Sequence, residues 1–203
     1  MARYTGPASR ICRRLGQCIC NKKKCAIGKR DFPPGQHGQA RKVKMSDYGL
    51  QLREKQKVKI MYGLMEKQFR KTFVQASRSP GVTGVKLLEL LERRLDNVIF
   101  RLGFASTRRQ ARQWVGHGHV QVDGRKVDIP SFSVQPTQAI RMVGKETFVK
   151  RLQEIRETMQ ERQVPKWLQR KEEGFEAQVI GLPSRDDVQF PIQESLIVEL
   201  YSK

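Results

Sequence analysis

Cys12, Cys18, Cys20 and Cys25 fall within fourteen residues, spaced C-x5-C-x-C-x4-C. Four thiolates so close suit one tetrahedral Zn²⁺, and an iron–sulfur cluster is the other chemistry such a set serves. No apolar stretch follows the N-terminus as a secretory leader requires, so the expected compartment is the reducing cytoplasm, where disulfides are rare. Arg13, Arg14, Lys22, Lys23 and Lys24 lie beside the cysteines in the chain and favour their deprotonation. The spacing is not a pair of C-x2-C knuckles, so ligand number and clustering carry the reading.

A second constellation begins at Thr107-Arg108-Arg109-Gln110. Thr107 followed by Gln110 is a capping-box pattern, with Thr107 capping a helix and Gln110 reaching back. Helical spacing sets Arg108, Arg109 and Arg112 on one side and Ala111, Trp114 and Val115 on the other. Two arginines in a first turn oppose the helix dipole, which favours acids there. Such a broken rule points to a functional site, because the N–H groups at a helix start and guanidinium forks both attract phosphate. Arg125 and Lys126 follow on a hairpin, with His117 and His119 between. The bland alternative is a solvated surface helix. Catalysis finds no support: His37, His117 and His119 are the only histidines, and no nucleophile–base arrangement stands out.

The distribution of charge decides between those readings. The 203 residues carry 40 Lys+Arg against 20 Asp+Glu, a net charge of +20. Residues 1–44 hold 12 basic and 1 acidic side chains, and residues 45–91 hold 9 and 4. Residues 92–126 hold 8 and 3, whereas residues 127–203 hold 11 and 12. A field so uneven makes sense when a polyanion neutralises it, and it lies in the first 126 residues. An acidic membrane surface is the rival partner, but the basic stretches lack a strong apolar face. No run approaches the roughly 18 apolar residues of a membrane span.

These groups need elements to hold them. Residues 1–45 show almost no apolar period, and Pro33-Pro34-Gly35 excludes a helix, so this arm is held by metal, by RNA, or not at all. Ser46 caps an expected helix running through Phe69, with Gly63 as its weak point. After Ser79-Pro80-Gly81, an apolar helix is expected from Thr83 to Leu102, closed by Gly103. The Thr107–Gly116 helix leads into a hairpin over 119–127 whose Asp123-Gly124 turn reads as type I′. A strand is expected at Ala139–Val143, an amphipathic helix over Glu146–Arg162 and strand-like structure from Trp167 to Ile180. Ile192–Tyr201 is an apolar closing element, helix or strand, and too apolar for a loose tail.

Arg94-Leu95-Asp96-Asn97, Arg101-Leu102-Gly103-Phe104-Ala105, Ser106 through Gln113, His117-Gly118-His119, Val122-Asp123-Gly124 and Ile129-Pro130-Ser131 resemble the RNA-binding module of the S-four family of small-subunit ribosomal proteins. The resemblance runs nearly end to end, through Ala2 to Pro7, Pro33 to Gly38, Tyr48 to Gln56 and Leu196 to Lys203. Pro136-Thr137-Gln138 departs from the Pro-Gly-Asp common in that family. Zinc-bearing members show C-x2-C followed by C-x4-C. Here Cys20 and Cys25 keep the second pair and Cys12 half of the first, while Ser9 stands at the other position and Cys18 would replace it.

The resemblance implies an α+β chain. Its mainly helical domain is completed by the C-terminal segment, and a small module of two helices plus a short antiparallel sheet is inserted. The expected divisions are a basic arm at 1–45, a helical domain at 46–91 and 192–203, and a domain at 92–191 with the module core at 92–150. It further implies a cytoplasmic, ribosome-bound binder of the 5′ domain of 16S rRNA that acts early in assembly. Small-subunit ribosomal protein five and mRNA on its way into the ribosome are the implied neighbours, with an effect on decoding accuracy. No membrane and no small-molecule substrate are expected. The candidate RNA-facing residues are Arg3, Arg10, Arg13, Arg14, Lys22, Lys23, Lys24, Lys29, Arg30, His37, Arg41, Lys42, Lys44, Arg53 and Lys55 in the first half. In the module they are Arg93, Arg94, Thr107, Arg108, Arg109, Gln110, Arg112, Gln113, His117, His119, Arg125 and Lys126. An RNA-modifying enzyme and a DNA-binding regulator are the alternatives: the first lacks room for a catalytic domain, and the second rests on a helix–turn–helix outline around Leu102–Trp114.

Overall fold

The computed structural model describes residues 4–20, 25–40, 44–158, 163–171, 174–188 and 190–202. The chain divides into two compact units, Met1–Gly84 with Pro191–Lys203 and Val85–Phe190.

In the first unit, α1 (Ala8–Leu15) stops at Gly16, and a single 3₁₀ turn follows at Ala26–Gly28. Ser46 accepts from the Gly49 N–H and opens α2 (Asp47–Met61). The continuous helix expected through Phe69 is instead broken: α2 ends at Met61 and α3 spans Glu66–Arg78. Gly63 adopts φ +66°, a conformation only glycine takes cheaply, and the corner buries both Tyr62 and Leu64. The closing element is a helix, α8 (Glu194–Ser202), packed along α2. Ile192 and Ile197 are buried, the Gln51 amide donates to Glu199 at 2.8 Å, and Lys57 donates to the Pro191 carbonyl at 2.8 Å. The Tyr201 ring stacks on Phe73 with centroids 4.5 Å apart.

In the second unit, the expected helix from Thr83 to Leu102 is also two, α4 (Thr83–Glu92) and α5 (Leu95–Arg101). No glycine or proline breaks it. Arg94 is extended because the neighbouring backbone is paired elsewhere: the Val134 N–H donates to the Arg93 carbonyl at 2.9 Å and the Leu95 N–H to the Phe132 carbonyl at 2.8 Å. After α6 (Arg108–Gly116) come β1 (Val120–Val122), β2 (Arg125–Lys126), β3 (Ala139–Met142), α7 (Glu146–Thr158), β4 (Leu168–Arg170) and β5 (Glu176–Val179). The strands form one antiparallel sheet in the order β2-β1-β3-β5-β4, so the strand-like 167–180 segment is a hairpin. Asp123 and Gly124 both have positive φ, as a type I′ turn requires. Thr137 sits at φ 72°, a conformation costly for a β-branched residue, at the position where the resembled family commonly has glycine. The expected run of α7 to Arg162 leaves the described residues after Thr158.

Val98, Ile99, Ala111, Trp114 and Val115 pack against Val120, Val122, Ile140, Ala177 and Val179 in one core. Trp114 is 6% exposed and meets Phe148 edge-on, so its role is packing. The architecture is α+β: a helical domain completed by the C-terminal segment, with an α+β module inserted. Among the described residues, no helix is long and apolar enough to cross a membrane.

Candidate nucleic-acid interface and metal centre

The arm brings its four cysteines together. Cys12 lies buried on α1, the turn after Gly16 returns Cys18 and Cys20, and Cys25 precedes the 3₁₀ turn. All four sulfur atoms lie within 4.8 Å of one another, with Cys18 and Cys20 at 3.8 Å and Cys20 and Cys25 at 3.6 Å. Four metal–sulfur bonds of about 2.3 Å in a tetrahedron set sulfurs roughly 3.8 Å apart, so the group fits one ion of that size. Ser9 lies one turn before Cys12 on α1, while Cys18 supplies the fourth sulfur from the far side of the turn. Burial pushes the Cys12 thiol up to about 12 and the Cys18 thiol up to about 11. Burial also raises the Cys25 thiol, but hydrogen bonds from the Ile27 N–H and the other thiols outweigh it and leave it below its ordinary value. Such a set binds a cation by releasing protons.

Arg13 is committed within the arm. It donates to the Phe32 and Pro33 carbonyls at 2.9 and 3.3 Å and lies over the Phe32 ring. Arg10, Arg14, Lys29, Arg30, His37, Lys44 and Arg53 are exposed. Arg3, Lys22, Lys23, Lys24, Arg41 and Lys42 lie outside the described residues. Lys55 is buried and paired with Glu66 at 2.8 Å. Burial alone would raise the Glu66 carboxyl, yet hydrogen bonds from Lys55, Lys59 and Tyr201 hold it at about 2.

In the module, Thr107 caps α6 by accepting from the Gln110 N–H at 3.2 Å. Gln110 reaches back one residue further than a capping box requires, accepting from the Ser106 N–H and hydroxyl at 2.9 and 2.6 Å. Behind the cap is a buried polar network that sequence reasoning missed. Glu92, fully buried, accepts from Arg101 at 2.7 and 2.9 Å and from Asn97 at 2.7 Å. Asn97 in turn accepts from the Arg108 Nε at 2.8 Å, which places Arg108 over the Phe100 ring. Asp96 takes two hydrogen bonds from Arg94 and faces Arg112 at 3.5 Å. Burial raises the Asp96 carboxyl, against the pull of both guanidinium groups. The only signal for this in sequence is the acid and amide following Arg93-Arg94.

The arginines of α6 therefore divide. Arg112, expected outward with Arg108 and Arg109, is 8% exposed and turned toward Asp96. Arg94 is likewise buried, and Arg93 is half-buried against the Val134 carbonyl and Gln135. Arg109, Gln113, His117, Arg125 and Lys126 are solvent-facing. The Lys126 side chain lies over Gly118, where any Cβ would collide with it, so the cation of β2 sits at the end of α6. His119 stacks on Phe148 at 4.1 Å, with Nδ1 3.1 Å from the Val143 carbonyl. Of the acids in 92–126, Glu92 and Asp96 are internal, and Asp123 holds the Ala139 N–H and the Gln138 amide. The balance of charge that the module shows to solvent between α6 and β2 is accordingly basic, with Asp123 its one exposed acid.

Comparison with known proteins accords with this division. The family described as "Ribosomal protein S4/S9 N-terminal domain" matches residues 3–92, and "S4 domain" matches residues 93–140. Small ribosomal subunit protein uS4A of Myxococcus xanthus is 55% identical over 209 residues, covering 100% of both chains. Small ribosomal subunit protein uS4 of Gloeobacter violaceus is 53% identical over 210 residues, and that of Thermoanaerobacter sp. is 51% identical over 209, again with 100% of each chain covered. Neither the family descriptions nor these relatives' names carry an enzymatic activity. With full-length identity at this level, the chain belongs to the family of small ribosomal subunit protein uS4.

Proposed function

We propose that this protein is a non-catalytic component of the small ribosomal subunit that binds the 5′ domain of 16S rRNA and nucleates assembly there. The observation that carries the reading is the outward basic surface of the α6–β2 region, whose own carboxylates are buried or bonded to backbone. Arg109, Arg125 and Lys126 meet phosphates, with Arg108 held in place by Asn97 beside them. The exposed arm cations, Arg10, Arg14, Lys29, Arg30 and Lys44, extend the footprint, together with Arg3, Lys22, Lys23, Lys24, Arg41 and Lys42. In the assembled subunit the protein neighbours small-subunit ribosomal protein five where mRNA enters, and so contributes to decoding accuracy. Cys12, Cys18, Cys20 and Cys25 hold one Zn²⁺, which supplies the arm with folding energy that its few apolar residues cannot. An iron–sulfur cluster fits less well, because its several irons would hold the four sulfurs farther apart than 4.8 Å.

The test is binding of the whole chain to a 5′-domain transcript, to random RNA and to duplex DNA across a salt series. The expected result is preference for the transcript, with log affinity falling by about 0.7 to 0.9 per contact against log salt. Equal affinity for all three, or affinity indifferent to salt, overturns the reading.

A further inference from the structure

We infer that the exposed face of α3 is a second phosphate-binding surface, which lays RNA backbone along Lys67, Arg70, Lys71 and Arg78. The inference rests on the reading that the chain binds rRNA, and it adds residues that the sequence pattern did not single out. Nine basic residues lie in 45–91, but Lys55, Lys57, Lys59 and Lys86 are consumed in ion pairs with Glu54, Glu66 and Glu89. Apart from Arg53 on α2, the remaining cations all stand on α3.

That helix is two-faced. Phe69, Phe73 and Ala76 are buried, whereas Lys67, Arg70, Lys71, Val74, Gln75 and Arg78 are exposed. Among the described residues, none of the four cations has an ion-pair partner. The one acid of the helix, Glu66, is already held by Lys55, Lys59 and Tyr201. Lys67 repels Arg70 and Lys71 at helical spacings of three and four, and it opposes the dipole in the first turn. An ordinary solvated helix would relieve this with interleaved acids. α7 does so, setting Glu146, Glu154 and Glu157 among Lys150, Arg151 and Arg156. Repulsion left unrelieved on one face points to a polyanion as the missing partner. A shallow depression of about 870 Å³ runs along this face, with Val74 as its one aliphatic lining residue. From Lys67 to Arg78 the helix rises roughly 16 Å, enough to lie along more than one phosphate of a nucleic-acid strand.

The experiment compares the full-length chain with Arg70→Gln/Lys71→Gln/Arg78→Gln on the same 5′-domain transcript. The salt slope is expected to become shallower by about 2, at 0.7 to 0.9 per lost contact, with an unchanged melting temperature. Arg70→Lys/Arg78→Lys keeps the slope, since the charge remains. Should the triple variant fail to fold, Lys67→Gln/Arg78→Gln reads the loss of two contacts, about two-thirds of that size. A folded variant whose slope and affinity match the parent overturns the inference and leaves the rRNA reading intact. A parent chain that does not prefer the transcript takes down both. A variant that keeps RNA binding but loses binding to polyglutamate places an acidic protein on the helix and overturns the RNA assignment.

Discussion

Asp96 faces two arginines where water does not reach, and its neighbour Asn97 links a second buried acid to Arg108. Burying ions is costly, and breaking such a group costs more than the pair contributes, because the surviving charges are stranded. Asp96→Ala should therefore destabilise the protein by about 3–5 kcal/mol, leaving Arg94 and Arg112 buried without their carboxylate. Urea unfolding checks this, and a loss under 1 kcal/mol would mean that the arginines swing out to solvent. Glu66 is a milder case, half exposed and held by three donors. Its folded value of about 2 lies below its ordinary 4.5, so its contribution is full above pH 4.5 and is lost as pH falls toward 2. With solvent screening this amounts to about 1 kcal/mol. Melting temperatures of the parent and Glu66→Gln should thus converge between pH 4.5 and 2. At this scale the sequence showed which residues carry charge but not which way they point. Arg112 resembles an outward arginine by helical spacing, and its buried partner lies sixteen positions earlier on another helix.

Elements bring surviving outward cations into one place. Charge reversal at Arg109, Arg125 and Lys126 together should weaken binding to the 5′-domain transcript by tenfold or more at moderate salt, with the melting temperature unchanged, since all three are solvent-facing. Calorimetry paired with a binding titration checks both halves, and a lowered melting temperature with intact binding would show these residues to be structural. Reversing Arg112 should behave in the opposite way and lower stability first. Elements are legible in the sequence where the signal is local. Thr107 capping α6 and the Asp123-Gly124 turn follow from residue type, whereas the closing segment is legible only as apolar, its pattern fitting helix or strand alike. Breaks were harder. Gly63 announced a weak point but not that α2 and α3 would part there. The α4–α5 break carries no breaker at all, because backbone pairing with residues 132–134 imposes it from forty positions away.

Across the whole molecule, a net charge of +20 opposes compaction, and the arm has few apolar residues to resist it. The four thiols supply an answer that the core cannot. Burial keeps Cys12 and Cys18 protonated at neutral pH, at about 12 and 11, so an ion must displace their protons to bind. Affinity for Zn²⁺ should accordingly rise with pH, and binding should acidify an unbuffered solution. Anaerobically purified protein should carry about one zinc per chain by elemental analysis, and Cys25→Ser should lose it. Because the ligands all lie in the arm, removal by a chelator should abolish hydrogen-exchange protection in α1 while α2 and α6 keep theirs, each being held by its own packed core. Loss of protection in α6 on chelation would show that the arm supports the module. Ribosome-bound protein without stoichiometric metal would instead leave rRNA alone to order the arm, with the cysteines as an unused cluster.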